Sequence, residues 1–567
     1  MTSGHPPTGG SGRAWHLHPK VPSAARLSAE LDLHPELVSI LVRRGHADAS
    51  SITRFLDPEP STLQDPFIFR DMAKAVERLR LAGRRRERVL VYGDYDMDGV
   101  SACAVLLPAL LELGADAEAH LPDRVRDGYG LRREPLERLL AGGFSVVVTV
   151  DNGLTQIDAV RFLTEKGIDV IVVDHHLPKD VLPPAFAIVS AAVGPGDPDL
   201  AACGLAFKLV WALRGSYAAA EECLDLVALG TVADVAGVAG ENRILLKKGL
   251  ELLRRTRRPG LRALLRSARL GRSVITYRDL AFALVPRLNA AGRMGSAGDA
   301  LRLLTATDEA EAGTLARALE KGNRDRQRVE ASIYAEAVRQ ADGILVPGDA
   351  AVVVAGEDWH EGVIGIVAAR LAERYRRPAI VIALKAGKGK GSGRSLPSIG
   401  LLDAVAACEE LLVEFGGHSQ ALGLTIRSEQ VGPFRSRLNE ALRSAGPGRP
   451  AGATLEIEGE IAPAELDLRF LKDLERLAPF GPGHRRPVFL TRGMRLRGEP
   501  ARKGKDTLHA WMSDSAGKTV CEVVGFRMFE RWLKASPKKK NFDVVHQPAL
   551  TERDGIASIQ LELEDWS

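Results

Sequence analysis

Val89-Leu90-Val91-Tyr92-Gly93-Asp94-Tyr95-Asp96-Met97-Asp98-Gly99-Val100 decides how this chain folds. It opens with a short apolar, β-branched run, the pattern of a buried strand. Asp94, Asp96 and Asp98 then follow at alternate positions. Alternation would put three carboxylates on one side of an extended chain as it leaves a sheet. Carboxylates this close repel strongly unless a cation sits among them. Gly99 allows a tight turn into a helix expected from near Ser101. Alone, the stretch fits a metal site or an Asp-rich surface turn.

The pattern recurs. Ser145–Val150 reads as a second strand and ends in Asp151-Asn152-Gly153. Asp169–Val173 reads as a third and ends in Asp174-His175-His176. The apolar run Leu226–Ala233 leads to Asp234. Four apolar segments each deliver acid or imidazole at the C-terminal end, and in an open α/β sheet such ends line one crevice. Asp and His without Cys suit Mn²⁺ or Mg²⁺ better than structural zinc. The expected ligands are Asp96, Asp98, Asp151, His175 and Asp234, with Asp151 bridging two ions and Asp94 a further candidate.

Composition sets bounds. The 567 residues suffice for roughly three or four domains. Hydrophobic residues make up 45% and charged residues 26%, the balance of a soluble globular protein. No apolar run reaches the ~20 residues of a membrane helix. The Gly/Pro-rich start to Arg13 lacks the apolar core of a secretory signal and reads as a disordered tail. Five scattered cysteines without a C-x-x-C suggest reduced thiols in a cytoplasm. Net charge is only +4, but basic residues cluster, as in Arg84-Arg85-Arg86 and 385–394. Beside an acidic metal site, such clusters are compatible with a polyanion gripped along its backbone.

Asp-His-His after a strand, behind Asp-x-Asp-x-Asp-Gly, resembles the DHH phosphoesterase superfamily. The details resemble its RecJ branch of single-strand-specific 5′→3′ exonucleases, from about Leu41 to near the C-terminus. The resemblance implies hydrolysis of single-stranded DNA to mononucleotides in repair and recombination, with a single-strand-binding protein and a helicase as partners. It implies that His176 contacts the scissile phosphate and that Arg124, in the loop around Asp127-Gly128-Tyr129-Gly130, contacts phosphate. Pro286–Met294 reads as a polar turn and matches a RecJ motif, with Asn289 and Arg293 assigned to substrate and Arg287 open to pairing with a carboxylate. His360, Ser392, Arg394, Gly416, Gly417 and His418 match the DHHA1 domain that accompanies DHH. Ser392 and Arg394 are read on a Gly-containing loop near phosphate, where backbone N–H groups and arginine act as donors. Ala421-Leu422-Gly423 stands where that family usually has Ala-Ala-Gly.

The expected fold is α/β: a DHH parallel-sheet domain and a DHHA1 domain joined by a long helix, then an OB-like barrel. The boundaries are a disordered tail at 1–20, a helical segment at 21–88, DHH at 89–240, a helical connector at 241–344, DHHA1 at 345–448 and the barrel at 449–567. The expected protein is a cytoplasmic monomer whose chain ends directly after the barrel. Two other readings belong to the same superfamily, a phosphatase for short oligonucleotides or small phosphoesters and a catalytically silent replication scaffold. The barrel argues against the first, and the full set of ligand residues against the second.

Overall fold

The computed structural model describes residues 10, 12–124, 126–128, 130–271, 274–396, 399–417, 420–444, 454–535, 540–553 and 556–567. Contacts divide the chain into two units, residues 63–450 and residues 1–62 with 451–567. In the latter, β1 (Ala14–Leu17) lies within the stretch expected to be a tail. Its Trp15 is buried, which fixes the strand although the residues before it are Gly/Pro-rich. The helices Ala24–Leu31, Pro35–Arg43 and Ala49–Leu56 follow.

The larger unit begins its first sheet with β2 (Arg88–Tyr92). The helix α1 (Met97–Glu112) leads to β3 (Asp116–His120), and β4 (Val146–Val150), β5 (Asp169–Val173) and β6 (Ala187–Val189) complete the sheet. All pairs are parallel and the order is β3-β2-β4-β5-β6. The order reverses at β2, so a crevice is expected where the ends of β2 and β4 part. Helix α1 is apolar nearly all round and packs against α2 (Ala202–Arg214) and α3 (Leu224–Ala233).

A short helix α4 (Val285–Met294) precedes α5 (Glu309–Ile344). The first turns of α5 bury Ala312, Leu315 and Leu319 in the core of the first sheet. Its last turns bury Ile333, Ala337 and Ala341 in a second core. One helix thus carries both halves of this unit. Gly322 meets nothing that a Cβ would strike. Its cost is therefore only the helix propensity term, about 1 kcal/mol relative to Ala. The second sheet comprises β7 (Val352–Glu357), β8 (Ala379–Lys385), β9 (Lys388–Arg394), β10 (Leu412–Gly417) and β11 (Ala421–Arg427), in the order β10-β11-β9-β8-β7. Helix α6 (Glu361–Tyr375) connects β7 to β8, which are parallel.

In the other unit β12 (Thr454–Ile457) pairs in parallel with β1. β13 (Gly459–Glu460) adds to β14 (Phe489–Lys503). β15 (Thr507–Ser513), β16 (Val520–Gly525), β17 (Asn541–Arg553) and β18 (Ile556–Trp566) complete the sheet. The pairing runs β14-β15-β16-β18-β17, and β17 returns to β14, so five strands close into the expected barrel. The N-terminal helices share its core: Leu37, Leu41 and Ile52 cluster with Phe470, Leu474, Met512 and Trp532. All five cysteines are buried and free. Among the described residues, no helix is long and apolar enough to cross a membrane.

Candidate active site

The carboxylates after β2 do not lie on an extended chain. The strand ends at Tyr92, and the helix starts at Met97 rather than near Ser101. Asp96 is its N-cap, accepting from the amides of Asp98 at 3.0 Å and Gly99 at 3.3 Å. Asp98 sits in the first turn, where an anion is favoured by the helix dipole. Both of its oxygens also accept from the first amides of α2, Ala202 at 2.7 Å and Cys203 at 2.9 Å. Gly99 is required here, because a Cβ would stand 2.5 Å from the amide nitrogen of Asp94.

Asp151 leaves β4 with φ +63°, a left-handed conformation uncommon for residues other than glycine. Such strain persists where the surroundings over-determine it, as at functional sites. Asp234 does not end a strand. It is the C-cap of α3, a helix so apolar on every side that its sequence reads equally as a buried strand.

These elements bring the expected ligands together. His175 Nε2 lies 3.3 Å from Asp151 Oδ1 and 4.0 Å from Asp98 Oδ2, and His175 Nδ1 lies 3.9 Å from Asp234 Oδ2. Ligand atoms fall within 4.8 Å of one another in three overlapping triads: Asp94 with Asp96 and Asp151, Asp98 with His175 and Asp234, and Asp151 with both histidines. Burial, then the charges of Asp96, Asp98 and Asp94, raise Asp151 well above the carboxylate range. Burial and Asp96 push Asp94 up to about 8, and burial with Asp98 and Asp96 does the same to Asp234. Asp94 Oδ1 is buried without a hydrogen-bond partner among the described residues. An oxygen-rich, sulfur-free set with an orphaned carboxylate oxygen fits hard divalent cations.

Asp174 is not among the expected site residues, yet it holds one of them, His176. Its Oδ1 lies 2.7 Å from His176 Nδ1 and accepts from the His176 amide, while Oδ2 accepts from the Leu154 amide. Burial works to raise Asp174, but the hydrogen bond and charge of His176, with the amides of Leu154 and His176, together outweigh it and hold the carboxylate below its ordinary range. Burial likewise works to lower His176, and the bond and charge of Asp174 outweigh it, raising the imidazole to about 9. Asp174→Asn keeps an oxygen for the Leu154 amide but removes the charge from His176. Loss of an outer partner of this kind typically costs ~10–100-fold. Turnover should fall by about that factor with little change in KM, as steady-state kinetics on a short oligonucleotide would measure.

A basic surface stands beside the acidic one. Arg124 lies over the Tyr95 ring, 4.5 Å from its centroid. Residues 286–294 form α4 rather than a turn; Arg293 and Asn289 are four apart and share a face. Gly292 lets α4 approach, since a Cβ there would be 2.6 Å from the Tyr95 carbonyl oxygen. Arg293 donates to the Gly362 carbonyl at 3.2 Å, and His360 caps α6 by accepting from the Gly362 amide. Burial, then Arg124, Arg326 and Arg394, lower Arg293 to about 10. Burial and Arg124 also lower Arg394. Guanidiniums that depress one another are poised for an anion.

Ser392 and Arg394 sit on β9, not on a loop, with Arg394 Nη1 donating to Ser392 Oγ at 3.1 Å. Gly423 of β11 pairs with both Ser392 and Gly416, which places exposed Gly416 two strands away from Ser392. Gly417 follows at the end of β10, and His418 lies outside the described residues. Arg287 pairs with Glu320 at 2.6 Å, and Lys208 with Glu241 at 2.7 Å. Arg326, whose charge also bears on Arg293, is held by Asn323 and by Glu330 at 2.7 Å. The sequence carries its signal, because Asn323, Arg326 and Glu330 interrupt the apolar stripe between Leu319 and Ile333.

Residues 88–231 match the DHH family N-terminal domain, 348–444 the DHHA1 domain and 457–565 the RecJ OB domain. Over 97% of its length the chain is 33% identical to the single-stranded-DNA-specific exonuclease RecJ of Bacillus subtilis, covering 70% of that protein. It is 33% identical to RecJ of Dickeya dadantii, covering 95% of this chain and 98% of that one. The crystal structure of Thermus thermophilus RecJ in complex with Mn²⁺ matches with a TM-score of 0.83 at 30% identity, over 98% of this chain and 79% of that chain. With identity above 30% sustained along nearly the whole chain, and all three domains in order, the protein belongs to the RecJ family of the DHH phosphoesterases.

Proposed function

We propose that the protein is a metal-dependent exonuclease that hydrolyses single-stranded DNA from the 5′ end to 5′-mononucleotides, in DNA repair and recombination. The observation that carries this reading is the juxtaposition of the Asp/His centre with the arginines 124, 293 and 394, since Asp96, Arg124 and Arg394 all bear on Arg293. Asp94, Asp96, Asp98, Asp151, His175 and Asp234 would hold two Mn²⁺ or Mg²⁺ ions, with Asp151 as the bridge. Bound there, the ions supply an activated water and charge stabilisation at the leaving oxygen.

The chain's own residues do the rest. Arg124, Arg293 and Arg394 with Ser392 bind the terminal 5′-phosphate, arginine through paired N–H donors. His176, held charged by Asp174, donates a hydrogen bond to the scissile phosphate. Asn289, His360, Gly416, Gly417 and His418 track the strand behind the terminus. The barrel supplies a binding surface: β14 carries Arg492, Arg495, Arg497, Arg502 and Lys503, and Trp511 is exposed for stacking. Free thiols suit a reducing cytoplasm, where the protein would act as a monomer beside a helicase and a single-strand-binding protein.

Digestion of single strands labelled at either end tests direction. Release of label from the 5′ end at the first turnover is expected, and first release from the 3′ end would overturn the assignment. Arg394→Ala should weaken binding of all base sequences alike and flatten the salt slope by roughly 0.7. It should also narrow the preference for a 5′-phosphate over a 5′-hydroxyl. An unchanged slope with an unchanged end preference would remove Arg394 from the strand.

A further inference from the structure

In the unit formed by residues 1–62 and 451–567, β1 and the residue after it carry a second set of ligand-type side chains. Trp15 is buried in a small cluster with Leu455, Ile457 and Val545. Side chains alternate along a strand, so His16 and His18 fall on the opposite face from Trp15. The parallel register sets His16 directly beside Glu456 of β12. His16 Nδ1 lies 2.6 Å and His18 Nε2 3.1 Å from the same carboxylate oxygen, Glu456 Oε2. The two rings meet edge-on with centroids 5.0 Å apart. One ligand atom from each residue falls within 4.8 Å of the others.

We propose that His16, His18 and Glu456 bind a divalent transition ion, Zn²⁺ above all. Two imidazoles and one carboxylate are a donor set for zinc, whereas the carboxylate-rich nuclease centre favours harder ions. Three protein ligands leave a coordination position for water. The side chains of His16, His18 and Glu456 are 56%, 32% and 56% exposed, so an ion enters directly from solvent. His16 and Glu456 are 440 residues apart in the chain. An ion between them would tie β1 to β12 inside one unit and hold the N-terminal strand in place. Without an ion, the two imidazoles share the one carboxylate oxygen.

The test is equilibrium dialysis of the full chain against micromolar Zn²⁺, with bound metal measured by mass spectrometry. Wild type is expected to retain one equivalent more than His16→Gln/His18→Gln. An unchanged melting temperature of the variant in chelator shows that it is folded. Should the double variant fail to fold, the exposed Glu456→Gln variant serves, with the same loss of one equivalent expected. Hydrogen exchange of residues 14–18 should slow with Zn²⁺ in wild type and not in either variant. Equal zinc content in wild type and a folded variant would overturn the proposal. So would zinc-edge diffraction that places no ion at His16 Nδ1.

Discussion

Asp151→Asn is expected to lower turnover on single-stranded DNA by at least about a thousandfold while leaving the metal-free fold as stable as before, or more so. Asp151 stands in two of the three ligand triads, so no other single carboxylate is as central. Asn tolerates the left-handed backbone that Asp151 adopts, so the substitution removes charge without adding strain. Without metal that charge is unfavourable, because burial, then Asp96, Asp98 and Asp94, all raise the Asp151 proton affinity. Asp98→Asn would be a less clean test, since both Asp98 oxygens also hold the start of α2. Single-turnover hydrolysis and thermal melting in chelator are the measurements. Turnover within tenfold of wild type would remove Asp151 from the chemistry.

The second large effect is a linkage between metal, pH and stability. An ordinary aspartate has a pKa near 3.8, whereas folded Asp94 and Asp234 hold their protons to about 8. Between those values the folded state binds more protons than the unfolded one, so stability falls as pH rises. The contribution is fully present below pH 4 and gone above about pH 8. His176 acts in the same direction from 6.5 to about 9. Metal must displace the protons of Asp94 and Asp234, so its affinity should rise by about tenfold per pH unit for each proton released. The gap in melting temperature between Mn²⁺-loaded and chelated protein should therefore widen from pH 5 to pH 8. A Mn²⁺ affinity that does not change between pH 6 and pH 8 would contradict this.

What the sequence could convey followed from local physics. Short β-branched runs ending in Asp or Asp-His-His were legible because strand, turn and ligand lie within a dozen residues of one another. Asp234 reads as the end of a strand but caps a helix, because a helix buried all round has no periodic signature. β9 was read as a loop because Gly389, Gly391 and Gly393 alternate along it. Those glycines face packed side chains, where a Cβ would come within 2.7 Å of Ile382 at Gly389 and 2.6 Å of Leu424 at Gly391. Asp174 was overlooked because its role is a contact with His176, which residue type alone does not reveal. The union of the N-terminal helices with the barrel was not legible at all. Leu37 and Phe470 share a core across more than 400 residues of chain, and no local pattern encodes so distant a partner. For the same reason a chain cut before β12 would strip the N-terminal helices of their core, so it cannot isolate the barrel's part in binding.

The central claim is that the carboxylates and imidazole gathered from β2, α1, β4, β5 and α3 form one two-ion hydrolytic centre. Anomalous diffraction at the manganese edge, from crystals soaked in Mn²⁺, tests it most directly. Two peaks are predicted, both within coordination distance of Asp151, with Asp94, Asp96, Asp98, His175 and Asp234 divided between them. A map without a peak at Asp151, or with manganese only elsewhere on the chain, would contradict the account.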